Sequence, residues 1–419
     1  MNADTSTQRI YLDHAAATPV WPAVREVSNE VLQLVGNPMS HHASGRRTWH
    51  KLKAATQSLA QLLGINQSEL VVTSGATESN TFAIAGALSN PAARGRLLLS
   101  ALEHPSVVRA AEQYAPAGVE IVRVPVQKNG TVSPETLEQL LTPDTLLVSV
   151  SAASHELGVI QPIRRIAQRI RRYNTSHNAR ILFHTDASQL AAWEKVAPHG
   201  LGVDLLTISG AKVGSGTGTG LLYMKTGTNL QPLLPGGGQQ LGRRGGTEDL
   251  RAITALAVGL RETWRCLPKH SPRIRLLRDD LVNQLHAVFP DIEYNQHPEG
   301  LPNIVSLTLT GIDESAAVYA LDAAGIEVST GAACSGAKEN LSSLIAIGRS
   351  KKEARATLRL TLGWETTAKQ VKEAVRRIGP VLTTARTRNL RTKTLKSTGE
   401  ALAQAYSSRY TESTKETRV

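Results

Sequence analysis

Several short stretches of this chain bring together residue types that do chemistry. Lys212 stands in Ser209-Gly-Ala-Lys212-Val-Gly-Ser-Gly-Thr-Gly218, where a strand-like run delivers an amine into a turn of glycines and hydroxyls. The backbone N–H groups and Ser/Thr oxygens of such a turn can hold a phosphate. It is not a P-loop, since GxxxxGK[ST] does not match, and a lysine beside glycines is by itself usually a surface loop. Asp186 ends the apolar run Ile181-Leu-Phe-His-Thr-Asp186 and is followed by Gln189. A carboxylate at the end of a buried strand needs a cationic partner, a salt bridge or a helix N-terminus to cap. Thr73-Ser-Gly-Ala-Thr77-Glu-Ser-Asn80 follows a strand-like run and opens a helical one, so the free N–H groups around Ala76 and Thr77 make an anion site or a plain N-cap. His104, in Glu103-His-Pro-Ser106, follows another strand and could stack on a ring or move protons near neutral pH. Cys334 lies in Thr330-Gly-Ala-Ala-Cys334-Ser-Gly-Ala337, whose small neighbours leave its sulfur accessible.

The elements that must position these residues follow a regular rhythm. Short apolar runs at Leu70–Thr73, Arg96–Ser100, Glu120–Pro125, Leu146–Ala152, Arg180–Thr185, Leu205–Ser209 and Gly220–Met224 alternate with helical patterns. That alternation predicts an α/β fold, a mainly parallel mixed sheet covered by helices on both faces, with ligands gathering where strand ends run into loops. Ile163, Ile166, Ala167 and Ile170 have helical spacing, and Arg164, Arg165, Arg169, Arg171 and Arg172 occupy the other sides, as on a solvated surface helix. A Gly-rich stretch over 234–246 leads into a long helical pattern near Glu248. After Pro268 helices with fewer strands, Ile304–Leu309 and Thr357–Thr361, suit a smaller α+β domain. The expected organisation is an N-terminal segment 1–20 packing with the small domain, a large domain over 21–267, a small domain over 268–384 carrying the cysteine loop, and a basic, flexible tail over 385–419.

Composition narrows the function classes. The 419 residues are 41% hydrophobic, enough for a large core, and 47 Lys and Arg against 35 Asp and Glu give a formal charge of +12. That charge favours anionic partners or simply a basic surface. The two cysteines, Cys266 and Cys334, form no CxxC pair or Cys/His cluster, so neither a disulfide framework nor a zinc site is expected. The first residues, MNADTSTQR, lack an apolar run, which predicts no signal peptide or membrane span and a cytoplasmic protein.

Taken together, these motifs resemble the fold-type I pyridoxal-phosphate (PLP) enzymes of aminotransferase class V, and more narrowly the cysteine desulfurases of the NifS/IscS type. The resemblance runs from Tyr11 to about Ala374 and includes Tyr11-Leu-Asp-His-Ala-Ala-Ala-Thr-Pro19, Gly36-Asn-Pro, His42 and Gly45-Arg46, the segments around Thr77, His104, Asp186 and Lys212, Gly158-Val-Ile-Gln-Pro162, Gly236-Gly-Gly238, Arg244 and Gly246-Thr247, Ser329-Thr-Gly-Ala-Ala-Cys334 and Leu358-Arg359-Leu-Thr-Leu-Gly363. It implies PLP as cofactor, with Lys212 as its Schiff-base residue, Asp186 on the pyridine nitrogen, Gln189 on the ring hydroxyl, and His104 stacked on the ring for proton transfer. Ala76, Thr77 and Ser209 would hold the phosphate, joined by Thr247 from a second subunit of a homodimer. Arg359 would take the carboxylate of L-cysteine, a task suited to a planar, two-pronged guanidinium. Cys334 would receive the sulfur as a persulfide and pass it to an acceptor protein, a scaffold or sulfur carrier. No resident metal is implied, although Cys334 could touch an iron–sulfur cluster in transit.

The sequence departs from the family at the residue before Lys212, usually histidine and here Ala211, and at His155 in Ser154-His155-Glu156, where asparagine is usual. Loss of one charge-assisted phosphate contact, about 1–3 kcal/mol, predicts weaker cofactor retention unless Ser215 or Thr217 compensates. His155 can still donate to the cofactor's ring oxygen, with a charge that varies with pH. Two other readings fit the same residues: a PLP lyase acting on cysteine, cystine or selenocysteine without a persulfide, and a degenerate dimeric scaffold. The acceptor could serve iron–sulfur assembly, tRNA thiolation or DNA modification. Arg386, Arg388, Arg391, Lys393 and Lys396 weakly favour contact with nucleic acid or an acidic scaffold.

Overall fold

The computed structural model describes residues 9–90, 92–330 and 342–387. A short strand β1 (Ile10–Tyr11) precedes helices α1 (Pro22–Leu32) and α2 (Ala43–Leu63). Strand and helix then alternate: β2 (Leu70–Thr73), α3 (Ala76–Ala87), β3 (Gly95–Ser100), α4 (Pro105–Tyr114), β4 (Val119–Val124), α5 (Pro134–Leu140), β5 (Thr145–Ser149), α6 (Ile163–His177), β6 (Leu182–Asp186), α7 (Ser188–Ala191), α8 (Pro198–Leu201), β7 (Leu205–Ser209) and β8 (Gly220–Met224). All seven runs read as strands in this part of the sequence lie in one seven-stranded sheet, in the order β2-β8-β7-β6-β5-β3-β4. The β3–β4, β3–β5, β5–β6 and β6–β7 pairs are parallel, whereas β8 runs antiparallel to both its neighbours.

This topology explains the burial pattern. β7 and β8 are buried at every residue because helices cover both faces, while the edge strand β4 is largely half-exposed. The other edge, β2, is blunted by a side chain: the Gln240 amide accepts from the Val72 N–H (2.6 Å) and donates to the Val72 carbonyl (2.8 Å), imitating one step of a further strand. On one face α3 and α4 cover Leu97, Leu99, Leu147, Leu205 and Leu222. The opposite face builds the main core, in which α6 contributes Ile163, Ile166, Ala167 and Ile170 and turns its arginines outward. Arg169 reaches Glu135 and Glu138.

α9 (Leu250–Val288) spans 39 residues, about 58 Å at 1.5 Å per residue. It runs through residue 268 with Pro268 and Pro272 inside it, so the change of sequence pattern near that point falls within one continuous helix. Its first half buries Ile253, Leu256, Leu260 and Trp264, and its second Ile274, Leu277, Leu281 and Leu285. Beyond it lie β9 (Glu293–Tyr294), β10 (Ile304–Thr308), α10 (Glu314–Ala323), β11 (Ile326–Glu327), β12 (Ser329–Thr330), α11 (Ser342–Ala346), α12 (Lys351–Ala354) and β13 (Thr357–Thr361). A four-stranded antiparallel sheet has the order β12-β13-β10-β9, and β1 pairs in parallel with β11. A last helix covers 368–387. Residues 385–387, at the start of the stretch read as a flexible tail, are therefore helical, and Arg386 is paired with Asp291 (3.1 Å). The remaining basic residues, like Cys334, lie outside the described residues.

Candidate active site

The carboxyl ends of β2, β3, β5, β6 and β7 lie on one edge of the large sheet, and a cavity of about 310 Å³ sits there. β6 delivers Asp186, β7 delivers Ser209 and then Lys212, and β3 leads to His104. β2 leads to Ser74–Thr77, and the loop after β5 carries Ser151 and His155. Arg359 arrives from β13 of the smaller sheet. Ala15 and Ala16 complete the wall, because the N-terminal segment threads between β13, through the Asp13–Thr361 bridge, and the Lys212 turn, through Thr18 N–H to the Ala211 carbonyl (2.9 Å). Ala76, Thr77, His104, His155, Asp186, Gln189, Ser209, Lys212 and Arg359 all line this cavity. Thr247 is exposed and does not line it.

Asp186 is held rigidly. One of its oxygens accepts from the Asn80 amide (2.8 Å) and the other from the Ser188 N–H (2.9 Å), and the residue is only 8% exposed. Asn80 also donates to Ser106 (2.9 Å), whose hydroxyl meets His104 Nδ1 at 2.8 Å. His104 caps α4 by accepting from the Ser106 N–H (3.1 Å). Burial lowers its pKa below the usual histidine value, Asp186 opposing and Lys212 adding to the shift. A neutral imidazole beside a carboxylate is thus built into the sheet edge. Gln189 donates to the Ala15 carbonyl (2.9 Å), and Lys212 Nζ donates to the Ala16 carbonyl.

Two glycines make the opposite end of the cavity possible. A Cβ on Gly220 would fall 2.6 Å from the Gly75 carbonyl carbon, so the start of β8 can touch the loop that opens α3. A Cβ on Gly210 would fall 2.4 Å from Ser215 Oγ, which lets the Lys212 turn fold back on 215–219. The first N–H groups of α3 have no helical acceptor, and together with the helix dipole they favour an anion. Glu78 in this first turn is held below the ordinary carboxylate range: bonds from Arg244 (3.0 Å) and the Ser74 N–H (2.7 Å) outweigh a burial cost that alone would raise it.

Arg359 is 1% exposed, with Nη2 donating to Asp13 Oδ1 (2.8 Å), Nη1 donating to the His155 carbonyl (3.1 Å) and Nε without a partner. A buried guanidinium with an unspent donor suits a carboxylate ligand. The roles of Asn80, Ser188 and Asp13 escape sequence reading. Asn80 and Asp13 sit inside the quoted motifs, yet their partners lie 106 and 346 residues away.

The donor set fits pyridoxal phosphate. A rigid buried carboxylate suits a pyridinium N–H, a neutral histidine suits a ring face, a lysine suits an aldehyde, and hydroxyls at a helix N-terminus suit a phosphate. Comparison with known proteins agrees. The aminotransferase class-V family model matches residues 10–373, and the chain belongs to this family of PLP enzymes. Similar proteins include cysteine desulfurase IscS 1 of Archaeoglobus fulgidus, 36% identical over 357 residues, covering 84% of this chain and 91% of that one. Cysteine desulfurase IscS of Dictyoglomus turgidum is 34% identical over 364 residues, covering 86% and 91%. A solved NifS-like protein superposes with a TM-score of 0.83 at 29% identity, covering 90% of this chain and all of that one.

Proposed function

We propose that this chain is a PLP-dependent cysteine desulfurase that converts L-cysteine to L-alanine and leaves the sulfur on Cys334. The observation that carries the reading is the single cavity shared by Lys212, Asp186, His104, Gln189, Ser209, Thr77 and Arg359. When bound, the cofactor supplies an electron sink next to the substrate's α-carbon. Lys212 holds it, Asp186 keeps its ring nitrogen protonated, and Gln189 contacts the ring hydroxyl. Ala76, Thr77 and Ser209 hold the phosphate, and His155 reaches the ring oxygen. Arg359 turns its unspent Nε–H to the substrate carboxylate, with Asp13 fixing the guanidinium plane. His104, neutral and beside Asp186, moves the proton at the reacting carbon.

The Cys334 thiolate attacks the sulfur of cysteine. The carbon–sulfur bond breaks with its electron pair going to carbon, a proton completes alanine, and Cys334 is left as a persulfide. A sulfur-carrier or scaffold protein then accepts the sulfur. The working unit is a homodimer in which Thr247 of the partner subunit completes the phosphate site. Its exposure outside the cavity of its own chain supports this, as do the exposed Val35, Met39 and Leu241. In Cys334→Ala, alanine release from cysteine should stop. Release at the parent rate sinks the reading.

A further inference from the structure

Behind the cofactor site lies a second cavity of about 320 Å³, lined by Glu103, Arg109, Arg123, His155, Glu156 and Ser343 among others. His155 lines both cavities and is the wall between them. Its Nε2 is buried without a hydrogen-bond partner and stands 3.7 Å from Glu156 Oε1, while Glu156 Oε2 is buried and equally unpartnered. On the cofactor side its ring meets His104 edge to face, centroids 5.1 Å apart. The second cavity reaches the surface, since Arg109 and Glu112 on its wall have side chains 62% and 45% exposed.

We propose that His155 and Glu156 form a proton relay joining the cofactor site to this second cavity, a reading that rests on the PLP chemistry assigned above. An imidazole can take a proton on one nitrogen while releasing one from the other, which an asparagine at this position cannot do. Glu156 gives a proton to Nε2 of the neutral His155 ring, the other ring nitrogen releases one toward the cofactor side to replace the proton that completes alanine, and the Glu156 carboxylate regains its proton from water in the open cavity. The 3.7 Å gap closes by a small turn of the carboxyl or by one water.

The surroundings suit the task. Burial, with His104, Arg359 and Lys212 adding to it, drives His155 well below the usual histidine value, so the ring rests neutral. Burial pushes Glu156 up to about 7, with Ser343 and Arg359 opposing and Glu314 adding, so it can gain or lose a proton near neutrality. Glu103, on the same cavity wall, is also pushed by burial to about 7 against bonds from Ser151.

The test uses full-length, PLP-loaded Glu156→Gln. The relay predicts a kcat lower by about 10–100-fold with KM within about twofold, and loss of the rate inflection near pH 7. In Glu156→Ala, formate entering the second cavity should restore about tenfold of the rate. The pH titration of the cofactor's visible absorbance in the resting protein should also shift in Glu156→Gln, an arm that needs no turnover. An unchanged absorbance titration, or a fall in rate equal at every pH and untouched by formate, overturns the relay. A parent protein that makes no alanine sinks only the function assigned above.

Discussion

At one end of the cavity Asp186 is fixed by Asn80 and the Ser188 N–H within the sheet and is nearly inaccessible, whereas at the other Ser74, Thr77 and Gly218 are exposed and Ala211 presents only a methyl. The difference follows from what each end must hold. A carboxylate that pairs with a ring nitrogen works best when water is excluded and its oxygens are oriented before the ligand arrives. A phosphate carries charge that a helix N-terminus, hydroxyls and a second subunit can share, so one chain can leave that end open.

Substitutions at the two ends should differ in kind. Lys212→Ala should lower alanine release by about 10³-fold or more and abolish retention of the cofactor's visible absorbance through gel filtration. Asp186→Asn, which keeps the shape and removes the charge, should lower kcat by about 10²–10³-fold with little loss of bound cofactor, as absorbance titration would show. Arg359→Lys should act on neither end and instead raise KM for cysteine by about 10–100-fold, because an ammonium cannot reproduce the two-pronged contact. Ala211→His should touch only the open end, tightening PLP by about tenfold in a dialysis or fluorescence titration, the equivalent of one charge-assisted bond. An Asp186→Asn protein that loses its cofactor, or an Ala211→His protein that gains rate but not affinity, would break the division between the ends.

A smaller effect tests the buried wall. The pKa of Glu156 is about 7 in the folded protein, above the usual carboxylate value of 4.5, so the folded state holds more protons between these limits. Stability from this group is full below about pH 4.5 and is lost as pH rises through about 7. Relative to the parent, Glu156→Gln should therefore gain up to about 3 kcal/mol between pH 5 and pH 8 in thermal melts. A pH-independent difference would place the ionisation elsewhere.

The pattern of apolar runs made the large sheet legible, since a buried parallel strand is read from a few contiguous residues. The same pattern put Asp186, Ser209 and His104 at strand ends, and hence on one edge. What it could not convey were pairings set by topology. Gln240 seals β2 with its side chain, Asp13 fixes Arg359 from the far end of the chain, and α9 carries two prolines through the point where the sequence pattern changes. Each depends on which distant segments meet, and neither periodicity nor local propensity carries that information. His155 was legible as an unusual residue, but its place between two cavities was not.

The most direct measurement is incubation of the PLP-loaded protein with L-cysteine, followed by mass spectrometry of both the small-molecule products and the protein. Alanine should appear in step with one added sulfur on Cys334 and none on Cys266. Alanine without sulfur on Cys334, or pyruvate in place of alanine, would contradict desulfuration through Cys334.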